Sequence, residues 1–78
     1  MPNQLVESDA EKLILSIIGN ADKPLTTREI EIFVQRRGKR CPDSTVRFLT
    51  KMRYKGLIKG ELSIEHKGWI WWVDSEGE

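Results

Sequence analysis

Residues 36–59 read Arg36-Arg37-Gly38-Lys39-Arg40-Cys41-Pro42-Asp43-Ser44-Thr45-Val46-Arg47-Phe48-Leu49-Thr50-Lys51-Met52-Arg53-Tyr54-Lys55-Gly56-Leu57-Ile58-Lys59. Thr45, Phe48, Leu49 and Met52 recur at i, i+3, i+4 and i+7, which places them on one helical face. Ser44, Arg47, Thr50, Lys51 and Tyr54 share the opposite face, which has no long aliphatic side chain and two cations. Pro42 suits a first helical position, where its missing donor would be an orphan anyway, and Gly56 suits the C′ stop. The pattern predicts a helix over 42–55. Gly38 ends the preceding helix, which leaves Lys39-Arg40-Cys41 as a three-residue turn. Nine residues of the stretch are Lys or Arg and one is acidic, a formal +8, whereas the other 54 residues hold four bases and eleven acids, a formal −7. The net charge of +1 is therefore a near-cancellation of two opposed regions, and the basic one is an electrostatic footprint for a polyanion.

Upstream, Ser8-Asp9-Ala10-Glu11 has the form of a capping box. Ala10, Leu13, Ile14, Ile17 and Ile18 follow at helical spacing, and Gly19-Asn20 both tolerate a left-handed stop, so a first helix is expected over 9–19. Residues 21–25 form a connector in which Leu25 is a candidate for a one- or two-residue edge strand. Thr26-Thr27-Arg28-Glu29 repeats the capping-box pattern and opens a second helix, with Ile30, Phe33 and Val34 as its buried stripe. Arg36 and Arg37 fall in its last turn, where they serve either as helix-end cations or as contacts.

Downstream of Gly56 the period changes to two. Ile58, Gly60, Leu62 and Ile64 alternate with Lys59, Glu61, Ser63 and Glu65, the pattern of a half-buried strand. A three-residue loop, His66-Lys67-Gly68, with Gly68 left-handed, would lead into a return strand over 69–73. In that register Ile64 faces Ile70 and Leu62 faces Trp72. Ile70 and Trp72 then point inward while Trp69 and Trp71 lie outside; a two-residue loop would swap the two sets. Residues 1–7 read as a lead-in, 8–73 as one domain and 74–78 as an acidic tail.

Seventy-eight residues are one domain with a small core. One Cys and one His are poor material for a disulfide framework or a metal site, and no cofactor is expected. No apolar run is long enough to span a bilayer, so a soluble chain is expected, cytoplasmic (at the nucleoid) or nuclear in a eukaryote. No phosphate-cradling glycine loop or paired carboxylates point to an enzyme or a small-molecule substrate.

Three helices, a short turn between the second and third, and a terminal hairpin resemble the winged helix-turn-helix family. The resemblance rests on Leu25-Thr26-Thr27-Arg28-Glu29-Ile30, Pro42-Asp43-Ser44-Thr45-Val46-Arg47 and Lys55-Gly56-Leu57-Ile58. It implies an α+β fold: a three-helix bundle with a C-terminal two-stranded β-hairpin wing. It also implies a module for double-stranded DNA, a transcriptional regulator with helix 42–55 in the major groove. Carried over by position, Ser44, Arg47, Thr50 and Lys51 would meet bases or adjoining phosphates. Lys39, Arg40, Tyr54 and Lys55 would position the backbone, and Lys67 at the wing tip would reach a phosphate. The alternative is a protein-docking winged helix within a transcription or replication assembly. Outward Trp69 and Trp71 would then form a partner or homodimer surface, unless they pack on Leu5 and Val6.

Overall fold

Apolar spacing carries all three helices, and the computed structural model, which describes residues 3–4, 6–40 and 44–73, shows where each starts and stops. Helix α1 (Glu7–Gly19) buries Ala10, Ile14, Ile17 and Ile18. It starts two residues before the expected position, with Val6 as N-cap and no side-chain capping bond, so Ser8 lies within the helix and its capping box does not form. Glu7 and Asp9 instead place negative charge in the first turn, where the macrodipole favours it. At the other end, Asn20 caps at φ −91°, and neither it nor Gly19 takes the left-handed stop expected of them.

Helix α2 (Thr27–Arg36) follows directly on strand β2 (Leu25–Thr26) and has the capping box its sequence predicts. Thr26 Oγ1 accepts from the Glu29 amide at 3.1 Å, and Glu29 Oε1 accepts from the Thr26 amide at 2.9 Å. Ile30 and Val34 are buried, Phe33 packs beside them, and Gly38 ends the turn at φ +69°. Helix α3 (Thr45–Tyr54) is shorter than the expected 42–55. Ser44 is its N-cap, extended at ψ 145°, with Oγ accepting from the Arg47 amide at 3.4 Å. The helix thus begins after Pro42; Cys41, Pro42 and Asp43 themselves lie outside the described residues, as does the tail 74–78. The helix closes as expected on Gly56 at φ +80°. The Gly56 amide donates to Arg53 O and the Leu57 amide to Met52 O, both at 3.0 Å, the paired bonds of a Schellman motif.

Strands β4 (Lys59–Ser63) and β5 (Gly68–Trp72) are antiparallel, and β2 joins the other side of β5. The expected two-stranded hairpin is therefore a three-stranded antiparallel sheet of order β2-β5-β4, in a small α+β domain. Leu25 forms the edge strand its position suggested. A second, parallel ladder pairs β1 (Asn3–Gln4) with β3 (Lys39–Arg40), so Lys39 and Arg40 belong to a strand as well as to the connection between α2 and α3.

The hairpin register differs from the expected one. Leu62 pairs with Trp69, Gly60 with Trp71 and Ser63 with Gly68. Ile64, Glu65, His66 and Lys67 form a four-residue loop, and Lys67 at φ +57°, not Gly68, is its left-handed residue. Ser63 Oγ accepts from the His66 amide and Ile64 O from the Lys67 amide, which holds the loop closed. Leu62 opposite Trp69 instead of Trp72 is an odd shift, so the faces exchange. Trp71 is fully buried, while Ile70 and Trp72 are half-buried on the other face. The physical reason is Gly60: a Cβ there would overlap Cε3 and Cζ3 of Trp71, so the glycine is where the strand admits a large ring. The buried indole Nε1 donates to Thr27 Oγ1 at 2.9 Å, which satisfies its polar atom.

The core lies between the helices and this Trp71 face, with Ile14, Ile30, Phe48, Leu49 and Met52 as its largest fully buried members beside the indole. Trp71→Ala is expected to cost about 3–5 kcal/mol, enough to unfold much of a domain this small. Gly60→Ala is expected to lower the melting temperature by displacing the same ring, whereas Trp72→Leu stays folded. Thermal melts of the three variants check this, and equal melts for the Trp71 and Trp72 variants would contradict the register.

Candidate functional site

The buried stripe of α3 determines what its other side presents. Phe48, Leu49 and Met52 are in the core, so Arg47, Lys51 and Tyr54, at i, i+4 and i+7, project outward as an exposed row. Tyr54 is 81% exposed. Thr50 is half-buried between them, and its Oγ1 donates to Val46 O at 2.8 Å, the back-bond typical of a helical threonine. No acidic residue occurs in the sequence between Asp43 and Glu61, so the field over this face is set by cations.

The two flanks of α3 are fastened differently. On one, Lys55 Nζ bonds Glu11 Oε2 at 2.5 Å and Glu7 Oε2 at 3.2 Å, joining the end of α3 to the first turns of α1. The hydrogen bond to Glu11, and then that to Glu7, hold the Lys55 ammonium above the ordinary lysine pKa. On the other flank, the Arg53 guanidinium lies 5.4 Å from the centroid of Trp69, within cation–π range. Trp69 stacks on Trp71 at 5.3 Å and 19°, so the cation caps an aromatic pair whose inner member is core.

The structure thus brings Arg47, Thr50, Lys51 and Tyr54 onto one face and distributes the other expected residues around it. Ser44 caps the helix. Lys39 and Arg40 are in β3, with Lys39 half-buried, and Lys67 is exposed at the hairpin tip. Lys55 is paired with two carboxylates. Trp71, expected in an outer patch with Trp69, is buried, and Trp69 is half-buried beneath Arg53. The exposed apolar residues of the hairpin are instead Leu62 and Ile64, at 67% and 93%.

Arg53 was missed by helical spacing alone, since its position between the two faces gains meaning only once Trp69 is known to face the helix. Missed too was a groove of about 530 Å³ between the end of α3 and the free edge of β4, bordered by Arg53, Tyr54, Ile58, Lys59, Glu61 and Trp72. A second groove of about 490 Å³ lies on the outer sheet face, where Ile18, Ala21 and Pro24 approach Ile70, Trp72 and Val73. Among the described residues no helix is long and apolar enough to cross a membrane. The chain matches no protein-family model, no curated protein and no solved structure.

The Lys55 bridge has a pH signature. Because the folded-state pKa is raised, the bridge's contribution is complete below the ordinary lysine pKa and is lost as pH climbs through the raised value. Lys55→Met is therefore expected to melt slightly below the parent at neutral pH in low salt. The gap should close in the alkaline range and also in high salt, because the lysine is solvent-exposed and screened. Paired melts across pH and salt check both trends.

Proposed function

We propose that this domain is a winged helix-turn-helix module that binds double-stranded DNA through the outer face of α3. The observation that carries the reading is the exposed row of Arg47, Lys51 and Tyr54, with Thr50 between them, on a helix whose opposite face is core. A helix of this width fits the major groove, where an arginine can bond guanine in bidentate fashion and flanking cations find phosphates. Arg47, Thr50 and Lys51 are assigned to bases or adjoining phosphates, and Ser44 supports Arg47 from the cap. Tyr54, Lys39 and Arg40 are assigned to the backbone. Lys67, at the tip of a hairpin carrying Glu61 and Glu65, is a lone phosphate contact. Lys55 retains its place beside the backbone but reaches it only by leaving Glu7 and Glu11. Such binding, sequence-selective or general, would suit a transcriptional regulator.

A docking role is the second reading. Its support is no longer the tryptophans but Leu62 and Ile64, two exposed aliphatic side chains near the hairpin tip.

Affinity for duplex DNA should fall steeply with salt, since neutralised phosphates release condensed counterions. With roughly 4 to 6 phosphates contacted, the log–log slope should be about −4 to −5. Arg47→Ala should cost roughly 1–3 kcal/mol on a preferred site and flatten discrimination at one base pair, whereas Lys39→Ala weakens all sequences alike. Anisotropy titrations at several salt concentrations check both, and absence of binding in low salt overturns the DNA reading.

A further inference from the structure

Trp72 is not absorbed by the core or by the outer face of α3. Its indole is half-buried on the sheet face away from the core, opposite Lys59 in the β4–β5 ladder. Together with Tyr54 it borders the groove along the free edge of β4, and Arg53 and Lys59 bring cations to the same depression. Gly56 also lies in this groove, and a Cβ added there would meet no atom within 4 Å, so this part of the wall is open backbone. At about 530 Å³ the groove falls within the range of small-ligand sites and is too small for a duplex.

Aromatic side chains beside cations form the surface that takes an unpaired nucleotide, because a base outside a duplex exposes its π-face for stacking and carries its phosphate with it. Tyr54 belongs both to the exposed row of α3 and to this groove, so the two surfaces are continuous. We propose that the groove binds an unpaired nucleotide of a single strand leaving the duplex held on α3, which makes the preferred ligand a duplex with a single-stranded tail. This rests on the duplex reading of α3. Tyr54 and Trp72 offer the aromatic faces. Arg53, whose guanidinium carbon lies 5.4 Å from the Trp69 centroid, and Lys59 bring the positive charge that a phosphate requires. Glu61 gives the site a direction. An ionised carboxylate only accepts hydrogen bonds and repels phosphate, so the phosphates lie toward Arg53 and a base amino group, such as that of cytosine, lies toward Glu61.

The test compares one labelled duplex in two forms, blunt and with a tail of three deoxycytidines, by fluorescence anisotropy with the intact chain. The tailed form is expected to bind about 5- to 150-fold more tightly, the span of one stacked base. That ratio should fall toward one in Trp72→Leu and in Tyr54→Ala. Taking the ratio cancels whatever Tyr54 contributes to duplex binding, and its 81% exposure means its removal leaves the fold intact, so the test does not rest on the Trp72 variant alone. Equal binding of both forms by the parent overturns the groove while leaving the duplex reading standing. An advantage for the tail that survives both substitutions also overturns it. Binding of the tailed form alone supports the groove and overturns duplex recognition by α3, and binding of neither overturns both.

Discussion

The seating of the Trp71 indole over Gly60 is the contact on which the rest of the domain depends. The Trp71 ring lies where the side chain of its cross-strand partner would be, and β4 leaves that space open with Gly60. Once the ring is there, the pairing of every other residue in the hairpin follows, because strand faces alternate strictly. Trp69 is brought toward α3, where Arg53 covers it, and Trp72 is sent to the far face. The indole N–H is answered by Thr27, in the first turn of α2, so the same side chain ties the sheet to the helical layer. With so few residues available to the core, a fully buried tryptophan contributes a large share of the apolar surface removed from water.

Much of this was legible in the sequence, and the failures have physical causes. Periodicity located the buried faces of all three helices, because Ile14, Ile30, Val34, Phe48, Leu49 and Met52 recur at helical intervals. The turn chemistry of Thr26, Glu29, Gly38 and Gly56 was equally readable, since each reports a backbone requirement that few residues meet. The cap at Ser8 was not, because α1 begins two residues earlier, at Glu7, which pairs with Lys55 across the fold. The hairpin register failed for a sharper reason. A left-handed loop position was assigned to Gly68 by residue type, yet Lys67 takes it, since the loop is closed by Ser63 and Ile64 and the strands are aligned by Trp71. A glycine in a strand signals close approach as well as flexibility, and Gly60 carried the information that the loop did not.

The candidate site divides in the same way. The row on α3 could be read from helical spacing, because a face without aliphatic side chains is free to serve a partner. The groove could not, since Arg53, Tyr54, Lys59 and Trp72 meet only when the free edge of β4 lies beside the end of α3. Nor could spacing reveal that Lys55 is drawn toward α1, as Glu7 and Glu11 are distant in sequence and adjacent only in the fold.

Thr26 occupies two elements at once. It is the last residue of β2, paired with Ile70, and the N-cap of α2. Strand pairing and helix initiation therefore share one residue. The pairing joins segments far apart in the chain, so it carries a loop-closure cost that the local hairpin does not. The first turn of α2 is consequently secured by a contact of high sequence separation, and it is expected to order with the sheet instead of ahead of it. Such an arrangement makes the domain a single cooperative unit in amide exchange: opening the β2–β5 pair also frays α2.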